Sequence, residues 1–277
     1  MPFEKINGLD EVRAHYATSS QASNFYSFFI YGEGGAGKSR SALTIPGPGH
    51  VISFDPGGTK VLKDHIDSGR ITVDTRFEDP KYKGNAKDCF HAFMDEYNRL
   101  TDKGVFKQLG DAGGWFMVDS GTFLLEALLK SCTRGEVPTL PEYNKMGILA
   151  IEMIGILART KCNLILTGHV ELYKDDERGK IHAGILVSGK KLKVKLPLLF
   201  DEVYYVEGKE ENSGSVTYTY QTANNGFYQA RTRMGREGLF KLREPAHIGE
   251  LMLKAHVIDK ITLEKGGCVK LKRETGK

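Results

Sequence analysis

Apolar runs rich in β-branched and aromatic residues recur along the first part of the chain: FYSFFIY (25–31), HVISF (50–54), ITVDT (71–75), GWFMVD (114–119) and NLILTG (163–168). Each is short and bounded by Gly, Pro, Asp or charged residues, which predicts strands. Helical spacing fills the intervals, first in a short segment after the glycines at 32–37 and then over 85–100, 122–132 and 143–160. Strands alternating with helices predict an α/β fold, a mostly parallel sheet flanked by helices. From about Lys191 the pattern turns to simple alternation in KLKVKLP, DEVYYVE and SVTYTYQTANNGFYQARTRM, with Asn225-Gly226 as a turn signal. These runs predict antiparallel hairpins that extend the sheet on one side. The stretch 241–277 predicts a helix over HIGELMLKAHVI and a basic tail, so the chain divides into a lead-in (1–21), a core (22–240) and a C-terminal appendage (241–277).

Composition narrows the class. The 277 residues, 40% hydrophobic and 27% charged, are enough for a sizeable core and ordinary for a globular protein. The longest apolar run, Met146 to Leu157, is interrupted by Glu152 and falls short of the roughly 18 residues a membrane span needs. No membrane partner is expected. The N-terminus mixes acids and bases without an apolar core for export, which predicts a cytoplasmic protein. Cys89, Cys132, Cys162 and Cys268 are far apart, which suggests neither a zinc site nor a disulfide framework. The net charge of +4 equals the surplus of nine Lys or Arg over five Asp or Glu in residues 241–277.

The most specific chemistry lies in Gly32-Glu33-Gly34-Gly35-Ala36-Gly37-Lys38-Ser39, which fits G-x-x-x-x-G-K-[ST] between a predicted strand and a predicted helix. Backbone N–H groups in such a loop can surround a β-phosphate only where side chains do not hold the anion away. Lys38 then reaches the β/γ oxygens, Ser39 ligates Mg²⁺, and the loop with Arg40 forms the nucleotide-binding set. A second carboxylate is required at the end of a buried strand, and Asp119 closes the apolar run WFMVD. A nucleoside triphosphate and Mg²⁺ are the expected cofactors.

The order of these segments resembles the RecA-type recombinase ATPases, above all the reduced phage-encoded members that act in single-strand annealing or recombination. Glycine loop, a strand ending FDPGG, VDS, a long helix, NLILTGHV and a β-rich end carry the resemblance, over residues 22–240. It implies a RecA-like core, ATP as the nucleotide, single-stranded DNA as partner, and a homo-oligomer, ring or filament. It implies that His169 senses the γ-phosphate, and that TRGEVPTLPEYNK and the region ELYKDDERGKIHAGILVSGKK are DNA-contacting loops. Arg231 and Arg233, two apart on a predicted strand, resemble the basic pair that reaches a neighbour's γ-phosphate. Arg178, Lys180, Lys190, Lys191, Lys193 and Lys195 form a cationic cluster suited to phosphates. As a strand, 191–196 would set Lys191, Lys193 and Lys195 on one side.

The pattern departs from the family in one place. The water-activating glutamate of a D-x-E arrangement after the second strand is missing, because the chain reads Asp55-Pro56-Gly57. Asp55 substitutes, or Glu33 contributes, or the nucleotide serves mainly as a conformational switch. Two other classes stay open: a small-molecule phosphotransferase, and a nucleotide-sensing adaptor that does not hydrolyse.

Overall fold

The computed structural model describes residues 25–79, 88–174 and 179–268. The predicted lead-in and the basic tail beyond residue 268 lie outside the described residues. Among those described, nine strands form one mixed sheet: β1 (Ser27–Gly32), β2 (Gly49–Ser53), β3 (Ile71–Asp74), β4 (Trp115–Asp119), β5 (Asn163–Lys174), β6 (Ile181–Ile185), β7 (Glu202–Glu210), β8 (Val216–Gln221) and β9 (Arg243–Pro245). The order is β3-β2-β4-β5-β1-β7-β8-β9, with β6 paired to β5. The six strands from β3 to β7 run parallel, while β8, β9 and β6 pair antiparallel. The expected fold class is the observed one, a mostly parallel α/β sheet flanked by helices and extended by antiparallel hairpins.

The apolar strand runs are continuous because both sheet faces are covered. Alternate residues of β1 point to opposite faces. Phe29 and Tyr31 join a core with Phe116, Val118, Leu164 and Leu166, while Phe28 and Ile30 join Trp115, Met117, Ile165 and Tyr204 on the other side. The first face is covered by four helices. After α1 (Lys63–Asp67), which lies on the second face, these are α2 (Asp88–Asp102), α3 (Val105–Asp111), α4 (Gly121–Cys132) and α5 (Leu140–Leu157). Thr139 begins α5 with a capping box to Glu142, and Pro141 sits in its first turn.

Several elements differ from the sequence expectation. The helix expected after the glycine loop is a short 3₁₀ run, Ser39–Thr44, because Pro46 forces Ile45 into extended backbone (φ −88°, ψ 137°). The alternating stretch 190–196 is not a strand. It forms α6 (Lys190–Lys195), which continues as a 3₁₀ turn through Leu199. The expected loop after His169 is instead the hairpin β5–β6, and the hairpin expected around Asn225-Gly226 is replaced by β7–β8, with irregular chain over 222–242. The C-terminal stretch contributes β9 at the sheet edge and α7 (Ile248–Lys254), followed by α8 (Lys260–Lys265). Ile248, Leu251 and Met252 of α7 pack with Ala42 and Leu43 of the 3₁₀ run.

Candidate nucleotide site

The parallel strands run in register, so the loops after β1, β2 and β4 converge with the middle of β5, near His169, at one edge of the parallel sheet, where α/β proteins hold ligands. The glycine loop leaves β1 there. Gly37 has φ +86°, and an added Cβ would lie 2.8 Å from Cδ1 of Tyr218, which reaches under the loop from β8. Only glycine meets both conditions. At Gly34 φ is not positive and an added Cβ would meet nothing within 4 Å, so neither packing nor backbone strain calls for glycine.

Lys38 folds back along the loop. Its Nζ donates to the carbonyl oxygens of Glu33 (2.7 Å) and Gly32 (3.2 Å), and the residue is 7% exposed. Burial lowers its pKa, while the carboxylates of Asp119, Asp55 and Glu33 act in the opposite direction. Ser39 Oγ donates to Asp119 Oδ2 at 2.5 Å, and Thr167 Oγ1 donates to Asp119 Oδ1 at 2.5 Å. Asp119 is 1% exposed, and burial pushes its pKa up despite these two donors. Sequence reasoning missed Thr167, although a hydroxyl two residues before His169 inside an apolar run was a usable signal. Arg40 and Glu33 are exposed at the rim of the loop.

His169 ends the parallel register of β5 with β1, opposite Gly32. Its backbone N–H donates to Thr122 Oγ1 (2.9 Å), its ring meets Phe123 edge-on, and its Nε2 is buried without a hydrogen-bond partner. Burial, with the Lys38 ammonium second, lowers its pKa and favours the neutral ring. Asp55 lies on the opposite flank. Its backbone N–H and that of Phe54 donate to the Asp119 carbonyl (3.1 and 2.5 Å), and its carboxylate acts on Lys38, Asp119 and His169 alike.

The arrangement fits a nucleoside triphosphate with Mg²⁺. A hydroxyl and a carboxylate provide hard oxygen donors. Two buried polar atoms beside Asp119, Ser120 Oγ and His169 Nε2, lack partners. Gly34 leaves the loop surface clear. A cleft of about 390 Å³ adjoins Gly32–Gly34 on the His169 side, walled by Tyr205, Phe227 and Tyr228, with Leu172 at its mouth. Tyr205 and Tyr228 stack at 3.9 Å.

The cationic residues are arranged otherwise than expected. On α6 the i, i+2 spacing scatters Lys191, Lys193 and Lys195 instead of aligning them. Lys193 turns inward, pairs with Glu171 (2.7 Å) and lies 5.6 Å over the Tyr173 ring. Lys191 and Lys195, four apart, stay exposed, and so does Lys180 before β6. Arg178 and the side chain of Lys190 lie outside the described residues.

The strand expected through Arg231 and Arg233 does not form either. β8 stops at Gln221 opposite Tyr205, and only a single bridge, Arg231 to Val203, continues along that edge. Arg231 Nη2 donates to the carbonyls of Leu198 (2.8 Å) and Phe200, whereas Arg233 Nη1 lies 3.5 Å from Asp201. The two guanidinium groups therefore take different partners. Both sit at the start of β7, the amino end of the parallel strands, far along the sheet from their own glycine loop.

Among solved structures, the chain is similar to the flagellar accessory protein FlaH from Methanocaldococcus jannaschii (10% identity, 79% of this chain and 86% of that one, TM-score 0.33). It is also similar to an uncharacterized protein from Pyrococcus horikoshii in complex with an unknown peptide (11% identity, 79% and 91%, TM-score 0.39). No curated protein matches the chain. Residues 24–234, from the residue before the described chain begins to the end of the RTRM segment, match the family model of the AAA domain, and that span takes in every element of the site. With loop, strand-end acid and β5 assembled around one position, the chain belongs to the AAA domain family, a P-loop NTPase domain.

Proposed function

We propose that this protein is an Mg²⁺-dependent ATPase that acts on single-stranded DNA in phage-type recombination, annealing or repair, and that it works as a homo-oligomer. The observation that carries the reading is the convergence of Lys38, Ser39 and Asp119 at the carboxyl end of the sheet. In this reading Lys38 and the backbone amides of 33–39 hold the phosphates, while Ser39 and Asp119 hold Mg²⁺. Bound Mg²⁺ neutralises charge that develops on the transferred phosphoryl oxygens. Asp55 orients the attacking water from one flank, and His169, neutral and unpartnered at Nε2, senses the γ-phosphate from the other. The absence of an Asn/Asp-Lys-x-Asp guanine signature favours ATP.

The DNA assignment draws on the resemblance and on α6. Lys191 and Lys195 offer an exposed cationic face, and the Lys193–Glu171 pair joins that helix to the hairpin that begins at His169. A change at the γ-phosphate thus has a short covalent and ionic route to the lysines. Arg233, with only a long ion pair, is the freer of the two arginines to reach a neighbouring subunit.

ATP turnover measured with and without single-stranded DNA tests the proposal. Stimulation by the strand is expected. Turnover indifferent to DNA but dependent on a small hydroxyl acceptor would favour a phosphotransferase, a reading that the cleft beside Gly32–Gly34 supports because a second ligand there would adjoin the γ-phosphate. Binding with no turnover under either condition would favour the switch adaptor.

A further inference from the structure

We infer that Glu78 is a positioning residue, whose carboxylate holds the turn that carries Asp55 toward the nucleotide site. The inference rests on the proposed role of Asp55 as the group that orients the attacking water. Asp55-Pro56-Gly57-Gly58 forms a tight turn: Gly58 N–H donates to the Asp55 carbonyl at 2.9 Å, and Gly57 has φ 76° and ψ 6°. Proline second and glycine third, with those dihedrals, describe a type II turn. In such a turn the N–H of the third residue is not used by the turn itself. Here Glu78 Oε2 accepts it at 3.1 Å, and Glu78 Oε1 faces Thr59 Oγ1 at 3.5 Å.

Glu78 comes from a different part of the chain, the 3₁₀ turn Arg76–Glu78 that follows β3. Its neighbour Phe77 stacks on Phe54 at 5.3 Å, and Phe54 immediately precedes Asp55. Both residues of the pair 77–78 therefore grip the pair 54–55 and its turn, one through ring packing and one through the carboxylate. On the other side the same backbone is anchored to the Asp119 carbonyl. The turn is held from both flanks. The glutamate that is missing from the turn after β2 has a counterpart in Glu78 after β3, in the role of support.

The test is steady-state ATP turnover alongside equilibrium ATP binding for Glu78→Ala, Glu78→Gln, Asp55→Asn and the Asp55→Asn/Glu78→Ala pair. Glu78→Ala is expected to lower kcat on the order of ten- to hundredfold, the effect of a misplaced catalytic group, with ATP affinity and KM unchanged. Glu78→Gln should restore turnover, because its amide oxygen accepts from Gly57 and its NH₂ can donate to Thr59. In the Asp55→Asn background Glu78→Ala should add nothing. Wild-type kcat in Glu78→Ala while Asp55→Asn is inactive would overturn the inference alone, and full turnover in Asp55→Asn would overturn the reading of Asp55. Loss of ATP affinity in step with kcat would also overturn it, by making Glu78 a general structural support. Should Glu78→Ala fail to fold, Glu78→Asp, which keeps the charge without the reach, is expected to show the same kcat loss at unchanged affinity, and wild-type kcat there would contradict the inference.

Discussion

Ser39 and Asp119, 80 positions apart in the chain, are joined by a 2.5 Å hydrogen bond from the serine hydroxyl to one carboxylate oxygen. The other oxygen is occupied by Thr167. A carboxylate placed in this way is held for a purpose that its own stability does not serve. Burial raises its pKa, so in the folded state it binds its proton more tightly than in the unfolded chain. Its contribution to stability is fully present below the ordinary carboxylate range and is lost as pH rises through the raised value. At neutral pH the ionised form is a burden on the nucleotide-free fold.

Asp119→Asn is therefore expected to raise the melting temperature at pH 7 by a few degrees, with the gain shrinking as pH falls toward the ordinary carboxylate range. The same variant should lose Mg²⁺-dependent turnover by about 10–100-fold or more. Thermal melts across pH, paired with turnover at saturating Mg²⁺, check both halves.

Thr167→Val keeps the shape of the side chain and removes one donor to the Asp119 carboxylate. Loss of a hydrogen bond to the charged form raises the carboxyl pKa further. The acid limb of the pH–rate profile should move to higher pH, and stability at neutral pH should fall by about 1–3 kcal/mol. A pH–rate profile identical to that of the wild type would contradict this.

Gly37→Ala should destabilise the protein by about 1–3 kcal/mol, because φ +86° is strained for alanine and its Cβ would press on the Tyr218 ring. Adding Tyr218→Ala should relieve only the contact share of that loss. Denaturant melts of the two variants separate the contributions.

How the lysines are read from sequence shows where pattern alone fails. In KLKVKLP, Leu192 and Leu196 lie on one face whether the stretch is a strand or a helix, since both periods nearly return after four residues. Val194 decides the matter. A strand would bury it beside them, whereas it is 56% exposed. The parallel strands were legible because short, doubly covered apolar runs have few alternatives, and the glycine loop and Asp119 were legible because their chemistry needs particular residues at particular strand ends. The 3₁₀ run at 39–44 turned on one proline, and the irregular path of 222–242 on how far β8, which ends at Gln221, runs along β7. Neither Thr167 nor Glu78 carries a motif. Their roles depend on partners 48 and 21 residues away, which only the assembled sheet brings near.

On α6, Lys191→Glu with Lys195→Glu should weaken binding to a single-stranded oligonucleotide. It should also flatten the slope of log affinity against log salt by about 0.7 for each phosphate contact removed. Fluorescence anisotropy over a salt series measures both quantities. An unchanged slope would remove this face from the DNA-binding surface.

The most direct test of the central claim is a thermal melt of the wild type and Lys38→Ala with ATP and Mg²⁺ added singly and together. A ligand that binds only the folded state stabilises it by RT ln(1 + L/Kd), where L is the free ligand concentration, so the melting temperature rises with L. The wild type is expected to gain most with both ligands present and Lys38→Ala to gain nothing. An equal gain in the variant, or no gain in the wild type at saturating MgATP, would contradict the account.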